Sequence, residues 1–383
     1  MKIKKIQAYV ISVPLQIEIW TAQESHPDVS CLLVEVQTDE GVTGFGQVTG
    51  PKLKIIRDYV HQFGDIVKGM DACATTAVWE KLYSLTSPRP YGADAKDGLP
   101  PPLGRLDRPH ITAAIGGIDI ALWDIKGKAA NMPIYKLLGG DNTKIPTYAT
   151  GGYLKKGAPL TACADEMASF IARGYTAVKL KVGHHTLAEE VERVRASREA
   201  IGDALLMLDM NACYDLQQCI EFAHAVEPYN LTWLEEPLHW YLQPADFAKL
   251  AEATTIPIAH GERLMDRFAA RDFIKNGGIK FIQIDSTRHS GFTEHLRIAH
   301  MAEQHGVRIA PHQAPEMHGH LLAAFPRAAF IAESHGDPDR NPIWHNGLFT
   351  EKAVIKDGFL YLNDKPGFGY DINWDFVKKY GVS

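Results

Sequence analysis

From about residue 145 onward, short apolar runs alternate with longer segments of helical periodicity. Each of the first seven runs is followed by an amphipathic segment, for example residues 186–201 (TLAEEVERVRASREAI). Eight runs have the composition of strands: 146–152, 177–182, 204–210, 231–236, 256–261, 280–286, 307–311 and 328–334. A strand-then-helix repeat of eight units predicts a parallel (β/α)8 barrel of the α/β class.

The chain before residue 145 has a different pattern, typical of an α+β domain. The regular segments are strands at 3–13, 31–37 and 43–48 and helices at 53–69, 75–85 and 111–129. A Pro/Gly-rich stretch, 87–110, interrupts the helices, and such a long stretch is usually functional or mobile. These patterns predict an α+β domain over residues 1–128, to which the β-rich residues 353–383 return, and a barrel over residues 129–352.

Composition narrows the possible classes of protein. The 383 residues are 45% hydrophobic and 22% charged, which excludes a disordered, collagen-like or coiled-coil chain. No apolar run approaches the roughly 20 residues of a membrane helix. The net charge is −6 with dispersed Lys and Arg, so we expect neither a nucleic-acid nor a membrane partner. The N-terminus has no signal-peptide pattern and the five cysteines have no disulfide framework, which favours the cytoplasm.

Charged side chains recur once per repeat, at the end of each predicted strand from the second to the eighth. These residues are Lys179, Lys181, Asp209, Glu235, Glu236, Glu262, Asp285, His312 and Glu333. Because the C-terminal ends of barrel strands meet at one face, where such enzymes carry their active sites, we expect these side chains to form one site.

Lys179 and Lys181 are two residues apart, so a strand places both on one face. Two ammonium groups inside a barrel mouth are costly unless anions meet them. The alternative is a solvated strand end. We favour a functional pair because Val178, Leu180 and Val182 then face the helices.

Asp209, Glu235 and Glu262 come from three successive predicted strands. Three converging carboxylates repel one another without a cation, and all-oxygen ligation suits Mg²⁺. The alternative interpretation is a set of helix caps and loop salt bridges. Glu236 adjoins Glu235, and the sequence pattern alone does not decide which of the two points inward.

His312 follows an apolar strand, and Asp285 lies one strand earlier. A hydrogen bond from one imidazole nitrogen to Asp285 would fix the tautomer of His312 and raise its basicity. Glu333 is expected to be either a neutral acid or a salt-bridge partner of Arg288 or Lys181.

Taken together, these motifs resemble those of the enolase superfamily, and within it the mandelate racemase subgroup. The resemblance covers nearly the whole chain. It is carried by IGGIDIALWDIKGK (115–128), Lys179-x-Lys181, Asp209-x-Asn211, Glu235-Glu236-Pro237, Gly261-Glu262, Asp285 with His312, Glu333 and KPGFGYDI (365–372). Ser290-Gly291 departs from the Gly-Gly of many relatives, and we expect it to alter only a loop.

The resemblance implies a modified barrel under an α+β capping domain built from both chain ends, and abstraction of the proton next to a carboxylate with Mg²⁺. It assigns the metal ligands to Asp209, Glu235 and Glu262. Lys181 matches the base on one substrate face, and His312 with Asp285 matches the group on the other. Glu333 matches the residue that hydrogen-bonds the substrate carboxylate.

For substrate binding, the resemblance points to Asn211 and to a capping loop at 20–29. That loop contains Trp20, Glu24 and His26, and we expect a polar lid that also includes Arg89 and Arg105. A homo-oligomer is also expected by resemblance.

The function expected from these residues is dehydration of an acid sugar, an aldonate or aldarate, to a 2-keto-3-deoxy acid. Lys181 would remove the C2 proton, with its pKa lowered by Lys179 and by Mg²⁺, and His312 would protonate the departing C3 hydroxyl. The alternative is a racemase or epimerase of an α-hydroxy acid, which uses the same two groups. A dipeptide epimerase or cycloisomerase is disfavoured because a lysine would stand where Asp285 is. An inert binding protein would lack a ligand or a base, and none is missing.

Overall fold

The computed structural model of the chain describes residues 1–87, 103, 105–337 and 340–382. Most of the Pro/Gly-rich stretch at 87–110 lies outside these residues. The expected lid contributions of Arg89 and of the Arg105 side chain therefore lie outside the described part of the chain.

The first sheet is antiparallel and contains both the beginning and the end of the chain. Its strands, in spatial order, are β14 (Gly381–Val382), β1 (Ile3–Trp20), β2 (Ser25–Thr38) and β3 (Thr43–Thr49). The strands predicted at 31–37 and 43–48 are present and pair antiparallel as a hairpin of β2 and β3. Both sides of the sheet are buried, since Leu32 and Val34 of β2 belong to one core cluster and Cys31 and Leu33 to another.

The predicted capping segment at 20–29 forms the end of a β-hairpin. β1 continues to Trp20, and Trp20 and Ile19 pair with Ser25 and His26 of β2. The pairing register shifts between Pro14 and Ile19, and most of the residues between them are exposed. The alternation of apolar residues therefore stops near residue 13 although the strand does not.

Two helices, α1 (Leu53–Val67) and α3 (Arg108–Ala129), cover one side of this sheet, and α2 (Thr75–Tyr83) packs against both of them. α3 lies so close to β3 that glycine is required at the contact. A Cβ atom on Gly46 would lie 2.1 Å from the carbonyl oxygen of Gly117 and 2.9 Å from the nitrogen of Ala121. This contact joins the sheet to the longest helix of the domain.

Replacement of Gly46 by alanine is expected to destabilise the protein by about 1–3 kcal/mol, because the added methyl group forces backbone apart in a packed core. Chemical denaturation of both proteins measures the difference. Thr43→Ala, at the start of the same strand, is the control because it removes side-chain atoms. A Gly46→Ala variant as stable as the wild type would contradict this close approach.

The second sheet forms the predicted barrel. Its parallel strands are β4 (Lys144–Gly151), β5 (Ala177–Lys181), β6 (Leu205–Asp209), β7 (Leu231–Glu235), β8 (Ile258–His260), β9 (Phe281–Ile282), β10 (Arg308–Ile309) and β11 (Ala332–Ser334). From β4 to β10, each strand pairs with the strand that follows it in the sequence. The last strand, β11, pairs with the first, β4. A parallel bridge between Ile309 and Ala329 joins β10 to the segment before β11 and closes the ring.

Seven helices follow the first seven barrel strands. They are α5 (Ala162–Ala172), α6 (Leu187–Ile201), α7 (Leu216–Val226), α8 (Pro244–Ala253), α9 (Arg267–Asn276), α10 (Gly291–Gln304) and α11 (Pro315–Ala324), and the short α4 (Ile134–Leu137) precedes β4. Thr186 and Asp215 begin α6 and α7 with capping boxes. The predicted eighth helix is reduced to the five residues of α12 (Pro342–Asn346).

The segment at 353–383 only partly returns to the first domain. β12 (Val354–Lys356) and β13 (Phe359–Tyr361) form a hairpin whose second strand pairs antiparallel with β4, so this hairpin extends the barrel sheet. For residues 354–361 the structure differs from the prediction, since β13 pairs with β4 and Leu360 is buried in the barrel core. The later α13 (Trp374–Tyr380) and β14 do pack against β1.

Candidate active site

Two lysines of β5 lie inside the mouth of the barrel, at the C-terminal ends of its strands. Lys179 and Lys181 are buried, whereas Val178 and Leu180 belong to the core between strands and helices. The alternation therefore places both ammonium groups inside, as the sequence predicts. The alternative of a solvated strand end is wrong.

Lys179 is held by carboxylates on three sides. Its Nζ lies 2.6 Å from Oε1 of Glu235, 3.1 Å from Oε1 of Glu333 and 3.7 Å from Oδ2 of Asp209. Burial lowers the pKa of Lys179, but the charges of Glu235 and Glu333 outweigh burial and the pKa is raised well above its ordinary value. Lys179 is therefore a fixed positive charge in the centre of the site.

Lys181 contacts Oδ2 of Asp209 directly. Burial lowers its pKa, but the carboxylate of Asp209 outweighs this effect and the pKa is raised. Lys179 does lower the pKa of Lys181, as expected, but the charge of Asp209 outweighs it. The net shift of the pKa is therefore upward, opposite to the expected direction.

Asp209, Glu235 and Glu262, which we call the carboxylate triad, stand at the ends of β6, β7 and β8. All three are buried, and Asp209 and Glu235 are paired neighbours in the sheet. Trp233 Nε1 and Gln283 Nε2 donate to Oε2 of Glu235, at 3.0 and 2.7 Å. These bonds orient Glu235 towards the interior.

Glu236 points away from the triad. Its Oε1 accepts a hydrogen bond from the backbone N–H of Gly261 at 2.9 Å and lies 2.9 Å from Nδ1 of His260. Glu235 is therefore the inward residue of the adjacent pair.

Within the described residues, no three side chains of His, Cys, Asp or Glu lie close enough together to hold one metal ion. Each carboxylate of the triad is instead paired with a cationic side chain: Asp209 with Lys181, Glu235 with Lys179, and Glu262 with Arg288 at 2.6 Å.

The donor set of the triad nevertheless fits Mg²⁺, since it offers buried oxygen atoms from adjacent strands. Oε2 of Glu262 is buried, and Nε2 of His312, 3.0 Å away, does not meet it in hydrogen-bond geometry. A divalent cation would pair with the charges of Glu235 and Glu262.

His312 and Asp285 form the predicted pair. Nδ1 of His312 lies 2.8 Å from Oδ2 of Asp285, and Nε2 lies 3.0 Å from Oε2 of Glu262. Burial raises the pKa of Asp285, but the hydrogen bond and charge of His312 outweigh it and the pKa is lowered. Thr287 donates to the other oxygen of Asp285 through its backbone N–H, at 2.9 Å, and its hydroxyl, at 2.7 Å.

The surroundings of Glu333 favour its ionised form over the neutral acid in the absence of substrate. Burial raises its pKa, but Lys179 outweighs burial and the pKa is about 2. Its salt-bridge partner is Lys179 and neither Arg288 nor Lys181. Thr150 Oγ1 donates to Oε1 at 2.5 Å and the backbone N–H of Gln313 donates to Oε2 at 3.0 Å.

An open cavity of about 910 Å³ lies between the first domain and the barrel mouth. Arg288, which contacts Glu262, and Gln313, which follows His312, line it. His26 and Glu24 line it from the hairpin, whereas Trp20 does not. Of the candidate substrate-binding residues, His26 therefore faces the cavity.

Asn211, the other candidate for substrate binding, is buried beside the triad. Its backbone N–H donates to Oδ1 of Asp209 at 2.9 Å, and its side-chain oxygen accepts no hydrogen bond from the described residues. Its backbone has φ of +45°, which directs the chain away from β6.

Several contacts of the site are not predicted from the sequence. Arg288 pairs with Glu262. The hydroxyl oxygen of Tyr148 lies 3.4 Å from Nζ of Lys179. Trp233 and Gln283 donate hydrogen bonds to Glu235. Gln283 lies two residues before Asp285, so the strand alternation that placed Lys179 beside Lys181 also predicts its inward direction.

Comparison with known families accounts for both domains. A model described as "Mandelate racemase / muconate lactonizing enzyme, N-terminal domain" matches residues 5–139, and one described as "Enolase C-terminal domain-like" matches residues 162–376. The chain belongs to the mandelate racemase/muconate lactonizing enzyme family. The predicted family and the barrel with its capping domain are thus confirmed.

Curated members of the family include sugar-acid enzymes. L-talarate/galactarate dehydratase from Salmonella typhimurium (strain LT2) is 37% identical over 262 residues. This match covers 68% of the present chain and 63% of the dehydratase, less than two thirds of its length. D-galactarolactone cycloisomerase from Agrobacterium fabrum (strain C58) is 30% identical over 99% of both chains.

Solved structures of the mandelate racemase/muconate lactonizing enzyme family share the whole fold. A crystal structure described by that family name has a TM-score of 0.88 at 30% identity, covering 100% of this chain and 99% of its own. The Salmonella typhimurium LT2 L-talarate/galactarate dehydratase, liganded with Mg and L-lyxarohydroxamate, has a TM-score of 0.85 at 29% identity, covering 100% and 93%. In the described part of the present chain, no helix has the length and apolarity to span a bilayer.

Proposed function

We propose that this protein dehydrates an acid sugar, an aldonate or aldarate, to a 2-keto-3-deoxy acid in a Mg²⁺-dependent reaction. The observation that carries the proposal is the position of two proton-transfer groups. Lys181 lies on β5 and His312 follows β10, three strands apart one way around the eight-stranded ring and five the other. The two groups therefore lie nearly across the mouth from each other, and the carboxylate triad occupies the strands between them.

Lys181 is the base that removes the proton from C2. To accept a proton, its amine must first lose the proton that Asp209 stabilises. Engagement of Asp209 by a metal ion would withdraw that carboxylate from Lys181, and the fixed charge of Lys179 nearby would then favour the neutral amine.

His312 is the acid that protonates the C3 hydroxyl as it leaves as water. Asp285 accepts from Nδ1, so Nε2 is the nitrogen that exchanges a proton with the substrate. Donation by Nε2 balances the proton taken by Lys181. Asp285 itself is directed at the histidine, so its function is to orient and stabilise the imidazole.

The carboxylate triad would hold Mg²⁺, which as a Lewis acid stabilises the negative charge that develops on the substrate carboxylate when C2 loses its proton. Glu333, being ionised, only accepts hydrogen bonds in this structure. Its hydrogen bond to a substrate carboxylate therefore requires that it takes up a proton when substrate binds. Before that step, its function is to hold Lys179.

Incubation with Mg²⁺ and a library of aldonic, aldaric and α-hydroxy acids in D₂O, followed by mass spectrometry, tests the proposal. We expect one acid sugar to yield a product lighter by one water, with deuterium at C3. Deuterium at C2 without loss of water would instead identify the alternative, a racemase or epimerase. That alternative uses the same Lys181 and His312, and a Streptomyces coelicolor relative whose structure contains magnesium is described as a racemase.

We further propose that the enzyme works in the cytoplasm as a homo-oligomer. All five cysteines are free thiols, which suits a reducing compartment. Trp240, Tyr241 and Phe268 are exposed aromatic side chains of the barrel and are candidates for an interface between copies. The molar mass in solution tests the assembly.

A further inference from the structure

A second histidine, His318 on α11, connects the two chain segments that carry His312 and Asp285. It is fully buried. Its Nε2 lies 2.6 Å from the hydroxyl and 3.2 Å from the backbone nitrogen of Ser286, and its Nδ1 lies 2.8 Å from the carbonyl oxygen of Gln313. Ser286 directly follows Asp285, and Gln313 directly follows His312.

These partners determine the tautomer of His318. A carbonyl oxygen only accepts hydrogen bonds, so Nδ1 carries the hydrogen and donates to Gln313. A backbone N–H only donates, so Nε2 is the unprotonated acceptor for Ser286. Burial also lowers the pKa of His318, which favours this neutral form. The ring therefore makes directed bonds to both segments and has no free polar atom for substrate.

The segment after His312 requires such support. Gln313 and Ala314 both have left-handed backbones, with φ of +51° and +44°, which are uncommon for residues with a side chain. The ladder between β9 and β10 ends at Ile282 and Ile309, before either functional residue. Beyond the paired residues, two backbone hydrogen bonds join the segments. The N–H of Ala310 donates to the carbonyl of Ile282 at 3.1 Å, and the N–H of His312 donates to the carbonyl of Ile284 at 3.2 Å.

We propose that His318 is a positioning residue that holds the His312–Asp285 pair in register, an inference that rests on the proposed function of that pair. It acts through the backbone on each side of the pair and does not touch the reacting atoms. Its loss affects the step that uses His312 and spares the step that uses Lys181.

The test compares His318→Phe with His320→Phe. His320 is a matched control, since it is buried on the same helix and its ring nitrogens contact the backbone of Tyr135 and Phe368, both at 3.2 Å and both remote from the pair. We expect His318→Phe to lower the kcat of dehydration about 100-fold, the effect of misplacing a reacting group by roughly 1 Å. Deuterium exchange at C2 of recovered substrate, which reports Lys181, should change by less than about threefold.

His320→Phe should lower the melting temperature and leave the ratio of dehydration to C2 exchange at the wild-type value. Equal losses of both reactions in His318→Phe would overturn the proposal and leave His318 a structural residue. Ser286→Ala, which removes only the hydroxyl donor, supplies the same test if His318→Phe does not fold. It should shift the ratio in the same direction by a smaller factor.

A spectroscopic readout separates this inference from the proposed function. The proton between Nδ1 of His312 and Asp285 is expected to give a downfield ¹H NMR signal in the wild type and in His320→Phe. This signal should be absent in His318→Phe. If the wild type neither dehydrates nor exchanges any acid, the proposed function fails while this signal still tests the positioning. A signal that persists in His318→Phe would overturn the positioning.

Discussion

Replacement of Lys181 by methionine is expected to lower the rate of dehydration by about 10³–10⁴-fold, the upper range for loss of a general base. Methionine has a similar length and can occupy the same buried position, but it cannot accept a proton. The loss should extend to deuterium exchange at C2, because exchange requires only removal and return of that proton. Steady-state kinetics and NMR of recovered substrate in D₂O measure the two losses.

His312→Asn is the comparison for this prediction. Without the acid that protonates the C3 hydroxyl, dehydration should fall while C2 exchange continues, so the two variants differ in exchange. Exchange that persists in Lys181→Met would contradict the assignment of the C2 proton to Lys181. Removal of the C2 proton would then be assigned to His312, which lies across the barrel mouth.

Glu235→Gln is expected to abolish both Mg²⁺-dependent stabilisation and turnover. An amide has nearly the shape of the carboxylate but lacks the charge that a divalent cation requires. In the wild type, Mg²⁺ at 100 times its dissociation constant should stabilise the fold by about 2.7 kcal/mol, because it binds the native state alone. Thermal unfolding with and without Mg²⁺ measures this difference, which should vanish in the variant.

Glu236→Gln is the matched control for Glu235→Gln. It makes the same chemical change one residue away, on a side chain that contacts Gly261 and His260 and faces away from the triad. Its Mg²⁺-dependent stabilisation should equal that of the wild type. A result in which Glu236→Gln loses the stabilisation and Glu235→Gln retains it would reverse the assignment of the inward residue.

The barrel and the position of its charged residues could be predicted because both follow from short-range regularities. The eight apolar runs occur at the spacing of a strand-helix unit, and each becomes a strand. Lys179 and Lys181 enter the mouth because strand side chains alternate. In the same way, Asp285 and His312 come together because β9 and β10 are neighbours in the ring.

The pairing of charges within the site could not be predicted, because it depends on distances across the mouth. Lys179 has three carboxylates within reach, and its preference for Glu235 and Glu333 leaves Asp209 to Lys181. That choice reverses the expected direction of the pKa shift of Lys181. The extension of the β1–β2 hairpin to Trp20 and Ser25 could not be predicted for another reason. Most of its residues beyond Pro14 are exposed, so they carry no alternating pattern of apolar side chains.

The pairing of β14 with β1 has a consequence for biosynthesis. Val382 and Gly381 border Val10 and Ile11, so this stretch of the outer edge of β1 stays unpaired until residues 381 and 382 have left the ribosome. During that time β1 presents unpaired backbone groups, which are a template for association with other chains. A fragment that ends before residue 381 leaves these groups unpaired and is therefore expected to aggregate through this stretch of β1.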